Sequence, residues 1–162
     1  MADFANDGLS RSYPAVADSV HVARRELTAF ALASGANTQQ LEAVRLASSE
    51  ALTNAVVHAY RDEPGQIHVS AAVVSEELWI LIADEGCGLE PRADRPGLGL
   101  GLGLIAQLTE DFSIVPRSCG GVEVRMRFDL GGAQLPERPP APGSMEAASA
   151  PASPRFSTGF HR

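Results

Sequence analysis

The stretch Ser49-Glu50-Ala51-Leu52-Thr53-Asn54-Ala55-Val56-Val57-His58-Ala59-Tyr60 constrains this chain more than any other. Glu50, Asn54 and His58 recur in it at a spacing of four. On an α-helix that spacing stacks them on one side, each a turn above the last. The residues between them are mostly Ala, Val and Leu, which should face a core. A row of Glu, Asn and His on so apolar a helix is costly unless each group has a partner. A bound metal and a phosphate ligand would supply partners. The alternative is a solvent-facing polar stripe on an amphipathic helix.

Composition narrows the function classes. A chain of 162 residues, 44% of them hydrophobic, is long enough for one domain with a sizeable core. No apolar run has the length of a membrane span, and no basic-then-apolar leader opens the chain, so a cytoplasmic protein without a membrane role is expected. Cys87 and Cys119 lack metal-ligand spacing and read as free thiols. All 13 Lys+Arg residues are arginines. Without lysine there is no Walker A loop, no strand lysine of an ordinary protein kinase, and no Schiff-base chemistry. The first 130 residues hold 18 of the 20 acids but only 10 of the 13 arginines. Such a surface is a poor match for nucleic acid and suits a basic protein partner.

Three segments follow from the order of signals. Residues 1–10 read as a flexible start, 11–130 as the folded domain, and 131–162 as a disordered tail rich in Pro, Ala and Ser. Within the domain, Arg11 to Val16 reads as an edge strand, where Pro14 is tolerated. Asp18 or Ser19 can cap a helix carrying Val20, Ala23, Leu27 and Phe30, and Gly35 ends it. Asn37 and Gln40 resemble a capping box for a long helix from Thr38 to Tyr60, with Leu41, Val44, Leu52 and Ala55 toward the core. Ile67, Val69, Ala71 and Val73 alternate as one buried strand face requires. Ser75-Glu76 joins that strand to Glu77–Ala83, so apolar that it should be central, with Trp79 in sheet packing. From Asp84 to Gly103 regular structure should stop, and a helix should restart near Leu102. Phe112–Val115 and Gly121–Leu130 read as closing strands.

Two glycine stretches lie in that gap. Asp84-Glu85-Gly86-Cys87-Gly88 follows the central strand directly. A carboxylate there can accept a hydrogen bond from an exocyclic amine, and glycines let backbone approach a flat ligand; a plain turn is the alternative. Gly97-Leu98-Gly99-Leu100-Gly101-Leu102-Gly103-Leu104 precedes a helix and can form an anion site of free N–H groups, or a flexible hinge. It is not a dinucleotide fingerprint: leucine stands at 102 and 104, where the pattern needs glycine. Leucine at every second place suggests a segment that packs down over something.

Glu50-x3-Asn54, Asp84-x-Gly86-x-Gly88 and Gly97-Leu98-Gly99-Leu100, in this order, resemble the GHKL (Bergerat-fold) ATPase superfamily. The fuller run from Glu50 to Tyr60 is similar to its anti-sigma factor serine kinases. The resemblance spans roughly Arg11 to Leu130 and implies an α/β (α+β) two-layer sandwich, a mixed, mainly antiparallel sheet under a helical layer. It implies ATP and Mg²⁺ as cofactors. By position, Glu50 would be the base that polarises the attacking hydroxyl, and Asn54 would hold Mg²⁺ through its amide oxygen. His58 would lie near the phosphates or be structural. Asp84 would accept the adenine amine, with Gly86 and Gly88 beside the base. Gly97, Leu98, Gly99, Leu100, Gly101, Leu102 and Gly103 would form a lid over the phosphates. The family often carries Gly-Thr in its last strand, whose hydroxyl joins the adenine network. The matching pair here is Gly121-Val122, and a valine cannot make that bond.

The implied function is an ATP-dependent protein serine/threonine kinase. Its substrate would be a small anti-sigma-factor antagonist of STAS type, and it would regulate transcription by sequestering a sigma factor. The partners implied are that antagonist and a sigma factor, with a homodimer admitted. The alternative is a non-catalytic module that sequesters a regulator, with ATP structural or absent.

Overall fold

The computed structural model describes residues 8–58, 65–86, 98–118 and 120–131; the side chains of residues 58 and 98–100 lie outside the description. Among the described residues the order is β1 (Leu9–Pro14), α1 (Ala17–Ala33), α2 (Thr38–His58), β2 (Gln66–Val74), β3 (Glu77–Asp84), α3 (Leu98–Leu108), β4 (Asp111–Pro116) and β5 (Val122–Asp129). The strands form one sheet, order β1-β2-β3-β5-β4, and every described pairing is antiparallel. The helices cover one face, with α2 between α1 and α3. This is the two-layer architecture that the resemblance implies.

Local chemistry explains most boundaries. At the start of α2 the Gln40 N–H donates to Asn37 Oδ1 at 2.9 Å, and the Asn37 N–H donates to Gln40 Oε1 at 2.7 Å. That is the reciprocal capping box. Gly35 ends α1 with φ +92°: its N–H reaches Leu32 O at 3.1 Å and the Ala36 N–H reaches Ala31 O at 3.0 Å. These two bonds satisfy carbonyls that a helix end otherwise leaves open. Ser75 and Glu76 adopt φ of 52° and 64°, the double left-handed turn whose twist suits a two-residue hairpin.

Two boundaries differ from expectation. β1 begins at Leu9, because Leu9 and Tyr13 pack against the core and pair with Ala71 and Ile67. α1 begins at Ala17 with Val16 as N-cap and no side-chain cap; Asp18 lies inside the first turn, where its charge complements the helix dipole.

The core lies between the layers. Leu78, Ile80 and Ile82 of β3 face Val44, Ala47, Ala51 and Leu52 of α2 within one buried cluster. Small residues on α2 let the helix sit close to the sheet. On the opposite face Trp79 is half-buried beneath Arg127, whose guanidinium lies 5.9 Å from the ring centroid. Gln40 Nε2 donates to Asp129 O at 2.7 Å, which fixes the start of α2 at the end of the sheet where Glu77 pairs with Asp129. α2 and β3 therefore run in the same direction, and the end of α2 approaches the Asp84 end of the sheet.

Asn37→Ala removes one half of the capping box and should lower unfolding stability by about 1 kcal/mol. Urea unfolding checks this; an unchanged midpoint would mean that Gln40 alone holds the helix start.

Candidate functional site

Glu50 and Asn54 are neither solvent-facing nor in the core. Both are half-buried at the margin of the stripe formed by Ala47, Ala51 and Ala55, while Val57, expected to face the core, is 59% exposed. What covers the two polar groups is α3. A Cβ placed on Gly101 would lie 2.6 Å from Glu50 Oε2 and 3.7 Å from Asn54 Nδ2. Glycine at 101 thus lets one helix settle onto the polar side chains of another.

The Gly-Leu run is helical here. α3 starts at Leu98, not near Leu102, so Gly99, Gly101 and Gly103 are helix residues. Leu102, Ile105 and Leu108 pack on the core cluster, and that packing holds a helix of poor intrinsic propensity. The described residues contain two buried side-chain polar atoms with no hydrogen-bond partner, Asn54 Nδ2 and Ser48 Oγ, both on α2. An amide NH2 short of an acceptor at the margin of a core fits a side chain that donates to a ligand oxygen such as a phosphate, leaving its own oxygen for a cation.

Asp84 ends β3 and is 4% exposed. Its Oδ1 accepts the Gly86 N–H at 2.9 Å, and its carboxylate also accepts the Val122 N–H. Burial pushes this carboxyl above the usual carboxylate range; the two N–H groups and the nearby Arg117 charge oppose the shift. Gly121 holds φ +78°, and a Cβ there would come within 2.1 Å of Asp84 O, so only glycine fits. The pair Gly121-Val122 therefore stands beside Asp84, the register expected for the Gly-Thr pair of the resemblance.

Two clusters result: Glu50, Asn54 and Gly101 between α2 and α3, and Asp84, Gly86 and Gly121 at the end of β3. The parallel run of α2 and β3 brings them to one end of the sandwich. The His58 side chain, Gly88, Gly97 and both cysteines lie outside the described residues; Leu98, Gly99 and Leu100 are described as helical backbone only. The approach of Gly101 to Glu50 was not visible in the sequence, because it depends on how two helices cross. Arg117 was missed as well: its Nη1 donates to Asp84 O at 3.0 Å from 33 residues away, and its only signal is its place in the turn before the closing strand.

Residues 13–128 match the profile of the histidine kinase-like ATPase domain. The chain belongs to this family. Among its relatives, the serine-protein kinase RsbW of Bacillus velezensis is 30% identical over 145 residues, which cover 80% of this chain and 89% of that protein. The anti-sigma F factor of Shouchella clausii is 28% identical over 136 residues, 75% of this chain and 92% of that one. A solved structure of RsbU and RsbW domains from Mycobacterium tuberculosis superimposes with a TM-score of 0.61 at 22% identity, over 75% of this chain and 32% of the larger one. At that identity the likeness shows the shared ATPase fold.

The buried carboxylate of this ATPase domain has a stability signature. Its folded-state pKa is raised above the unfolded value near 3.8, so the folded form keeps its proton to higher pH. Stability from this group is present at low pH and is lost as pH rises through the window above 3.8. Asp84→Asn has no such proton. Relative to that variant, the wild type should lose melting temperature as pH rises above about 4. A difference constant over that range would contradict the assigned burial.

Proposed function

We propose that this ATPase-family chain is an ATP-dependent protein serine/threonine kinase of the anti-sigma type. Its relatives named anti-sigma F factor and serine-protein kinase RsbW support that reading. The observation that carries it is the convergence of a carboxylate and an unpartnered amide under a glycine of α3, at the same end of the sandwich as a buried carboxylate.

In this reading residues 11–130 are the kinase unit and 131–162 a tail outside it. Asp84 accepts the adenine amine, with Gly86 and Gly88 along the base. Glu50 takes the proton of the attacking serine hydroxyl, a role for a carboxylate held by a helix and half-shielded from water. Asn54 offers an oxygen to Mg²⁺, which when bound neutralises phosphate charge. His58 lies toward the phosphates. Gly97–Gly103, the start of α3 included, acts as the lid. Its glycines make the segment easy to rearrange, and its contact with Glu50 ties its position to the base. The substrate is a serine or threonine on a small STAS-type antagonist, and the second partner is a sigma factor whose sequestration regulates transcription. Homodimerisation and a cytoplasmic site complete the reading. No helix among the described residues is long and apolar enough to cross a membrane.

Val122 favours a second reading. Without a hydroxyl there, adenine loses one contact, and a module that sequesters its partner with little turnover becomes the competing function.

Glu50→Gln decides between them. It should leave ATP affinity within a few-fold and cut transfer of labelled phosphate to a partner serine by roughly 10²–10⁴-fold. Full transfer by the variant would exclude Glu50 as base, and no transfer by the wild type would favour sequestration.

Gly101→Ala separates packing from chemistry. Alanine improves helix propensity by about 1 kcal/mol, and the atom it meets is the far end of a flexible side chain. The protein should therefore fold at least as stably, while the displaced Glu50 carboxylate lowers transfer more than ATP affinity. Equal loss of both would place Gly101 against the nucleotide instead.

A further inference from the structure

We propose that Arg117 is a positioning residue for adenine recognition, acting through Asp84. The inference rests on Asp84 being the adenine acceptor, as argued above.

Arg117 follows β4 directly, in the turn to β5. Its own backbone is fixed on both sides: its N–H donates to Gly121 O at 3.1 Å, and its carbonyl accepts the Gly120 N–H at 3.1 Å. From that anchored point Nη1 donates to Asp84 O at 3.0 Å and lies 4.0 Å from Glu85 Oε1. The side chain is 26% exposed, so its charge is partly withdrawn from water.

The bond to Asp84 O occurs where the sheet runs out. The described β3–β5 pairing ends at Ala83 opposite Glu123. Beyond it the Val122 N–H is committed to the Asp84 carboxylate. The Asp84 carbonyl takes the Arg117 guanidinium. Arg117 thus ties the strand end to the turn where ladder pairing has stopped. The same turn presses on the segment through backbone alone: positions beyond Cα of Gly120 and Gly121 lie 3.6 Å from Gly86 O and 2.1 Å from Asp84 O. Asp84 to Gly86 is therefore clamped between a glycine turn and a guanidinium.

Glu85 is braced from the other side. His68 Nε2 lies 3.2 Å from Glu85 Oε1, and His68 Nδ1 lies 2.8 Å from Ser12 Oγ. With Glu85 engaged by His68 and Arg117 along the sheet end, Asp84 is the carboxylate left to face a base. Its anion is the stronger acceptor for an amine hydrogen bond. Burial works against that anion, and the Arg117 cation works for it. Arg117 has two effects on one residue: it fixes the carbonyl and favours the charge.

ATP affinity of the full chain, measured by calorimetry from pH 5 to 8, tests this. Arg117, Glu85 and His68 are the charged or titratable groups facing Asp84 and its loop among the described residues. All variants are therefore measured in a His68→Gln background, which removes the imidazole beside Glu85, while His58 is common to every variant. Arg117→Met removes bond and charge. It should weaken ATP binding at neutral pH by up to about tenfold, the part of the bond's worth that aims Asp84, and move the acid-side loss of affinity to higher pH. Arg117→Gln removes the charge and leaves only a shorter, neutral donor, so it should move the acid side too. Arg117→Lys should return the acid side toward its original position. Should the methionine variant fail to fold, the glutamine and lysine pair carries the same test. A uniform loss with an unmoved acid side would make Arg117 a purely structural turn residue and overturn the proposal. Wild-type binding by Arg117→Met, with binding lost in Asp84→Ala, which has no acceptor, would overturn it while leaving the adenine reading intact. Wild-type binding by Asp84→Ala would remove that reading and the inference with it.

Discussion

A carboxylate 4% exposed at the end of the central strand makes demands on everything around it. Burying an ionised group is costly unless hydrogen bonds and charge compensate. Asp84 receives two backbone N–H groups, from Gly86 and Val122, and lies near Arg117. Each of these has a structural consequence. To bring the Val122 N–H onto the carboxylate, β5 must start hard against β3, and that closeness leaves no room for a Cβ at Gly121. To bring the Gly86 N–H back onto Asp84, the chain must turn at once after the strand. The β4–β5 turn, the end of the sheet and the first residues of the glycine loop are thus solutions to one electrostatic problem. Such an arrangement lowers stability at neutral pH relative to an uncharged residue. Its persistence in the fold is easier to understand as a site than as scaffolding.

The second half of the site follows a different logic. Glu50 and Asn54 are held on α2, a helix anchored by its capping box and by an alanine-rich face on the sheet. α3 is the opposite kind of element. Gly99, Gly101 and Gly103 each cost about 1 kcal/mol of helix propensity against alanine. What holds α3 is the packing of Leu102, Ile105 and Leu108. A rigid helix carries the chemistry, and a weakly helical one rests on it through Gly101. Elements that must open for a substrate come from the weakly stabilised end of a fold, and α3 has that character by composition alone.

What could be read in advance was local. Asn37 and Gln40 cap because both groups lie within one turn, and Ser75-Glu76 forms a hairpin because two alternating strands leave only two residues between them. The buried face of β2 followed from period-two alternation at Ile67, Val69 and Ala71, but Val73, expected on that face, is 40% exposed because the strand leaves the core there for the hairpin; β5 alternates as well, and β3 was legible as a continuous apolar run. The misreadings came where tertiary contact overrode local preference. Three glycines in a row of alternate positions read as loop until α2 and the core supply a surface for Leu102, Ile105 and Leu108 to close upon. β1 starts earlier than its sequence suggests because Leu9 finds the core. Glu50, Asn54 and Asp84 were legible as candidates, being polar groups in apolar surroundings. Arg117 was not: nothing in a Pro-Arg-Ser turn distinguishes a clamp on a strand end from a solvated arginine.

The valine at position 122 illustrates how backbone and side chain separate. On sequence alone, replacing a threonine by valine removes a hydroxyl from the adenine end. In the structure the contribution of Val122 to Asp84 is its N–H, which any residue but proline provides. Its side chain is 9% exposed, and valine matches threonine in shape while burying no unpaired hydroxyl. The substitution therefore leaves Gly121, the strand start and the Asp84 carboxylate in place. What it takes away is one side-chain acceptor and donor toward the base. Nucleotide recognition then rests more heavily on the Asp84 carboxylate itself, and so on the two N–H groups and the one guanidinium that hold it charged and aimed.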